Sequence, residues 1–220
     1  MEYYGTLLTF HILGGGLALV SAVVAILSKV INSDHRWHVY SGRIYHYGMV
    51  VVFVTAFPMA ILKPNLFLFL ISIFSYYFVF TGWRTALNRK GTPHWIDWGV
   101  MGLMGVTSAG MLVYGIYLLI IGVGEGVTIL VFGAIGAAQV WQDFQIIRRG
   151  GVKGRERIVM HLGKMMGGTI ATVTAFVVVN ISFQPAFVVW LAPTVLITPI
   201  IMWMSIQIRK KGRIVTGFSE

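Results

Sequence analysis

Three histidines of this sequence are suited to holding a cofactor. His46 and His161 each lie about one turn inside an apolar segment, at ends that we assign below to the same side of a membrane. Imidazole ligates transition metals and haem iron, so two histidines at one depth predict a haem b or a transition metal. His38 is an alternative partner for His161. The structural interpretation is that each imidazole hydrogen-bonds a neighbouring helix.

A polar stripe lies further along the chain. Gln139, Gln142 and Asp143 are spaced i, i+3 and i+4, which places them on one face of a helix. Arg84 has the same predicted depth and is the expected partner of Asp143, because a buried carboxylate needs a cation or a proton. Asp143 and Arg84 are therefore candidate catalytic groups, with Asp143 a general base, metal ligand or proton carrier. The alternative is an ion pair that only fixes the helices.

His11 stands apart, at a depth on the opposite side where the sequence has no second histidine. Asn180 is its candidate hydrogen-bond partner. The absence of a second ligand there argues against two stacked haems. His11, Asn180 and Gln139, with Asp143 and His161, would instead form a polar path across the membrane.

His35 and His38 would share a face if their segment is helical. His38 and His46 are eight residues apart, about 12 Å on a continuous helix. They could join one site only if a loop or a kink lay between them.

The elements that position these residues follow from composition. Of the 220 residues 57% are apolar and 11% are charged, with a mean hydropathy of +0.80, whereas soluble domains are about one quarter charged. Apolar runs long enough for a bilayer predict an all-α bundle of seven transmembrane helices in a single domain, with no separate soluble domain. The predicted helices are 5–29, 43–62, 65–87, 98–122, 126–147, 157–182 and 186–208.

Small residues recur at four-residue spacing in two of these helices and predict close helix packing. One row is Gly14, Ala18 and Ala22. The other is Gly163, Gly167 and Ala171.

Charge predicts the orientation. Of the 17 Lys and Arg residues, all but Lys63 fall in or beside alternate connecting segments. The positive-inside rule then places the N-terminus outside and the C-terminus in the cytoplasm of a cell inner (plasma) membrane. The net charge of +10 is therefore a topology signal and does not indicate nucleic-acid binding. The basic segment 148–157 is expected to contact anionic lipids, and the lack of cysteine excludes disulfides and thiolate metal sites.

The segment from His38 to Tyr45 resembles the His-x-x-x-Gly-Arg-x-Tyr signature of a family of uncharacterised bacterial multi-pass membrane proteins, a predicted membrane domain of unknown function. The likeness covers about half the chain. It includes a later His followed by a basic residue and Met, matched by His161, Lys164 and Met165. It implies no activity and leaves His46 outside the motif. It does imply a recurring set of residues: His11, His38, Gly42, Arg43 and His161.

Three functions are compatible with these residues. The leading hypothesis is a haem- or metal-binding membrane redox protein, an oxidoreductase with quinone or lipid as substrate. The first alternative is a proton-coupled or small-solute transporter or channel. The second is a structural or assembly subunit that serves another membrane protein.

Overall fold

The computed structural model describes the backbone of residues 2–30 and 35–216 and the side chains of 3–29 and 35–210. All of its elements are α-helices: α1 (Glu2–Val30), α2 (His35–Leu62), α3 (Leu66–Leu87), α4 (Trp95–Ile120), α5 (Glu125–Arg148), α6 (Gly154–Asn180) and α7 (Phe187–Thr216). Each of the seven is long and apolar enough to cross a membrane. The predicted all-α architecture of a multi-pass membrane protein is confirmed.

Two boundary errors reach eight residues: α2 begins at His35 and not at residue 43, and α7 ends at Thr216 and not at residue 208. His35 and His38 therefore lie on α2, with ring centroids 6.5 Å apart. Because α2 is continuous from there to Leu62, His38 and His46 are separated by about 12 Å along the axis. A single ligand site for these two histidines is excluded. Residues 31–34 of the predicted polar connection before α2 lie outside the described ranges.

The helices form two compact units, Met1–Val79 and Phe80–Glu220. Helix α3 contributes its first part to one unit and its last part to the other. The prediction of a single domain stays a prediction.

In the first unit, α1 packs on α2 through small residues. A Cβ atom at Gly14 would lie 2.9 Å from Val51 Cγ1 and 3.1 Å from the Gly48 carbonyl oxygen. Ala18 and Ala22 are buried. The packing role predicted for this row is confirmed, whereas a Cβ atom at Gly163 would meet no described atom within 4 Å.

Replacing Gly14 with leucine is expected to destabilise the protein by about 1–3 kcal/mol, because the larger side chain forces α1 and α2 apart. Gly16 lies two residues away on the same helix, and a Cβ atom there would meet nothing within 4 Å. Gly16→Leu is therefore the matched control. Unfolding of both variants in mixed detergent micelles measures the difference, and equal stabilities would contradict the packing.

In the second unit, α4 packs on α5 and α6 on α7. A Cβ atom at Gly126 would lie 2.7 Å from the Gly115 carbonyl oxygen, so α4 and α5 nearly touch through their backbones. The end of α3 lies against α6 in the same way, since a Cβ atom at Gly82 would be 2.8 Å from Met165 Sδ. This contact places His161 and Lys164 of α6 beside the end of α3.

Candidate functional site

A cavity of about 70 Å³ lies in the second unit. Its wall is formed by the last turns of α3 and α5, the first turns of α4 and α6, and the segments that join these helices. Its volume is enough for a few water molecules. Four charged side chains line it: Arg84, Asp97, Asp143 and Arg157.

Asp143 of α5 forms an ion pair with Lys164 of α6 at the edge of this cavity. Lys164 Nζ lies 2.8 Å from Asp143 Oδ1 and 2.9 Å from Oδ2. The exposed fractions of the two side chains are 2% for Lys164 and 7% for Asp143. Both charges are therefore removed from water, and each offsets the desolvation of the other.

This pairing corrects the prediction that Arg84 neutralises Asp143. Helix α6 begins at Gly154, which places Lys164 about 15 Å along the helix axis. At that depth its ammonium group needs a counter-charge inside the bundle. A lysine so far inside an apolar helix, in a chain with only seven acidic residues, was a signal for this pair. The sequence analysis used Lys164 in the orientation and in the family resemblance, and did not consider it as a partner of Asp143.

Arg84 pairs instead with Asp97. Its Nε and Nη2 groups donate to the two carboxylate oxygens, with Nη2 3.0 Å from Oδ2. Asp97 comes within reach because α4 begins at Trp95, earlier than predicted. Asp97 Oδ2 also accepts from the His94 backbone N–H at 2.7 Å, which caps the helix. The pair joins the end of α3 to the start of α4.

Arg157 of α6 is half-buried and bonds the end of α3. Its Nη1 group donates to the carbonyl oxygens of Thr85, at 3.1 Å, and Ala86, at 3.0 Å. The last carbonyls of a helix lack intrahelical partners and carry partial negative charge, so a guanidinium suits them. Among the described residues, Arg157 Nε and Nη2 make no hydrogen bond.

Two glycines bring the connecting segments together at the cavity. Gly91, between α3 and α4, has φ +69°, and Gly151, between α5 and α6, has φ +94°. A Cβ atom at Gly91 would collide with the Val152 carbonyl, and one at Gly151 would collide with the Gly91 carbonyl. The two segments therefore cross in direct backbone contact. The sequence offered no sign of this contact, because the glycines are far apart along the chain.

His161 donates from the ring to the backbone. Its Nδ1 atom lies 2.9 Å from the Gly82 carbonyl oxygen, and because a carbonyl only accepts, the proton is on Nδ1 and the lone pair on Nε2. In the first unit, His38 Nδ1 lies 3.0 Å from the Ala25 carbonyl oxygen with the same consequence. His46 is buried beside the rings of Tyr47 and Tyr76, at centroid distances of 5.4 and 6.5 Å.

The residues of the predicted polar path have local partners. His11 Nδ1 lies 3.0 Å from Thr55 Oγ1, whereas Asn180 Nδ2 donates to the Phe176 carbonyl at 2.7 Å. His11 belongs to the first unit and Asn180 to the second, so the expected pairing of these two residues stays a prediction. Along α5, Asp143 is buried and Gln139 half-buried, but Gln142 is exposed.

Within the described ranges, no three His, Asp or Glu side chains form a group that could hold a metal ion. His161 belongs to the second unit and His38 and His46 to the first, so a shared ligand site stays a prediction. Comparison with known proteins finds no matching family model, curated protein or solved structure. The family resemblance of the His38–Tyr45 segment also stays a prediction.

Proposed function

We propose that this protein is a proton-coupled or small-solute transporter in which the Asp143–Lys164 pair carries the proton. The observation behind the proposal is the burial of this pair inside helices that are long enough to span a membrane. Ionisable side chains in such helices are costly and usually mark ion or proton pathways.

Packing alone gives no reason for these charges. A buried ion pair is often no more stabilising than apolar residues of similar volume, and the α4–α5 contact demonstrates that glycines can hold helices together here. The pair can exist with Asp143 ionised or with Asp143 protonated. Protonation of Asp143 removes its negative charge and leaves Lys164 without a counter-ion, so proton binding favours a rearrangement of α5 and α6.

The cavity supplies the access that a proton carrier needs. It extends from the connecting segments at Asn88 and Gly151 to Asp143. Water molecules in this space would link the buried carboxylate to the solution at the ends of the helices. Arg84 lines the same space and would influence the proton route through its charge.

Purified protein in liposomes containing a pH-sensitive dye tests the proposal. An imposed pH gradient, with valinomycin and potassium to balance charge, is expected to collapse faster than in protein-free liposomes. The same assay is run with candidate solutes on one side. A decay rate equal to that of protein-free liposomes under all of these conditions would contradict transport.

The proposed orientation in the plasma membrane follows from the basic residues, with the α2–α3 connection outside and the α5–α6 connection in the cytoplasm. Because the chain has no cysteine, single cysteines report the side directly. Lys63→Cys is expected to react with an impermeant maleimide in intact cells. Arg149→Cys is expected to react only after permeabilisation, and the reverse labelling would refute the orientation.

A second candidate function is haem binding by His161, with His46 or His38 as the other ligand. The hydrogen bond from His161 Nδ1 to the Gly82 carbonyl favours it, because metal-ligating histidines commonly donate their other ring N–H in this way. Bound haem would supply electron transfer. The absorption spectrum of protein from haem-supplied cells, before and after dithionite, tests this candidate. Haem binding predicts a Soret band in the wild-type protein and its loss in His161→Ala. A featureless spectrum would eliminate haem binding.

A further inference from the structure

Two cations and two carboxylates line the cavity in the second unit: Arg84 and Arg157, and Asp97 and Asp143. Lys164, which pairs with Asp143, adds a third cation beside the cavity. Arg84 is matched by Asp97, and Lys164 by Asp143. Among the described residues, the hydrogen bonds of Arg157 go only to neutral carbonyl oxygens. The excess positive charge of the site is therefore on Arg157.

The hydrogen-bond pattern of Arg157 leaves one edge of its guanidinium available. Nη1 is committed to the end of α3, whereas Nε and Nη2 bond no described residue. Nε and Nη2 together form the fork that binds two oxygens of one oxyanion. Arg84 also has a donor group left over: its Nε and Nη2 groups bond Asp97, whereas its Nη1 group bonds no described atom.

We propose that this cavity binds a phosphate group, with Arg157 as its bidentate ligand and Arg84 as a second donor. Two guanidinium groups on one cavity wall suit an anion with oxygens in several directions, which phosphate has and a planar carboxylate lacks. The size is adequate, because a phosphate group would replace a few water molecules in the space of about 70 Å³.

Two sources could provide this phosphate group, since the cavity lies at helix ends where lipid headgroups are found. One is free inorganic phosphate, which would make phosphate the solute of the proposed transporter. The other is the headgroup of an anionic lipid. Only the assignment as transported solute rests on the proposed function, because binding requires no transport.

Thermal unfolding of the 220-residue protein in detergent tests phosphate binding. Sodium phosphate is titrated at constant ionic strength against sodium chloride, so that general screening is the same in all samples. Wild-type protein is expected to unfold at a higher temperature as phosphate increases. Arg157→Gln, which keeps an N–H donor for α3, is expected to raise the half-saturating concentration by about tenfold or more, the range for a lost charge-assisted hydrogen bond.

The matched control is Arg155→Gln. Arg155 carries the same charge two residues away, is exposed, and donates to the Ile208 carbonyl oxygen. Its half-saturating concentration is expected to stay within about twofold of wild type, as for a screened surface charge. Arg157→Lys, which keeps the charge but not the fork, is expected to weaken binding and to unfold at the wild-type temperature without phosphate. An equal phosphate effect in wild type and Arg157→Gln would overturn the proposal.

Mixed micelles identify the source. The site would be assigned to a lipid headgroup by three results together. Phosphatidylglycerol raises the unfolding temperature more than phosphatidylcholine does, Arg157→Gln loses this difference, and inorganic phosphate has no effect. Stabilisation by inorganic phosphate would assign it to the free ion. A lack of both effects would overturn the inference. Proton flux in liposomes is measured separately, so binding without flux refutes only the transport function, and flux without binding refutes only this site.

Discussion

Replacing Asp143 with asparagine is expected to lower the free energy of unfolding by about 3–5 kcal/mol, the cost of leaving one partner of a buried ion pair alone. The ammonium group of Lys164 would remain inside the bundle, where its side chain is only 2% exposed. Lys164→Gln should have a cost in the same range, because it leaves the Asp143 carboxylate. Unfolding in mixed micelles measures both.

The double variant Asp143→Asn with Lys164→Gln is expected to recover most of the lost stability, since two neutral amides replace two charges. The exposed pair of Glu156 and Arg209, with side-chain exposures of 57% and 54%, supplies the control. Glu156→Gln should cost no more than about 1 kcal/mol. Single substitutions at Asp143 and Lys164 that cost no more than Glu156→Gln would contradict the buried pair.

Replacing Gly151 with alanine is expected to cost about 2–4 kcal/mol. About 1–2 kcal/mol comes from the positive φ of +94°, which L-residues rarely adopt. The rest comes from the collision of the new Cβ atom with the Gly91 carbonyl. The variant should also weaken phosphate binding, because the two segments that meet there line the cavity.

Gly150 separates these two contributions. It has φ +82°, but a Cβ atom there would meet nothing within 4 Å. Gly150→Ala should therefore carry only the backbone cost of about 1–2 kcal/mol. If Gly150→Ala and Gly151→Ala had the same stability in mixed micelles, the backbone contact between the two segments would be refuted.

The number and nature of the helices were predictable because a membrane span needs a long apolar run, and the sequence contains seven. The start of α2 was not. Most residues from His35 to Arg43 are polar or aromatic, so hydropathy assigns them to a connection, yet they belong to the helix. A helix that extends beyond its apolar segment keeps its backbone hydrogen bonds and loses only apolar burial, so hydropathy does not mark its end.

Two members of the charged site, Asp143 and Arg84, were predictable from the sequence, but the ion pairs that they form were not. Asp143 and Arg84 stood out because ionisable groups near apolar segments need partners. Their partners depend on the rotation of the helices and on where α4 and α6 begin. Because depth alone includes neither, it predicts the wrong pairs. Lys164 and Asp97 are therefore the partners that the sequence alone did not identify.

Proton flux of the double variant Asp143→Asn with Lys164→Gln, compared with wild type in the same liposomes, tests whether the Asp143–Lys164 pair carries the proton. The double variant keeps the fold but has no group that exchanges a proton at this position. We expect rapid decay of the pH gradient with wild-type protein and decay at the protein-free rate with the double variant. Equal, rapid decay with both proteins would show that the proton does not pass through Asp143 and Lys164, and that the pair serves the structure alone.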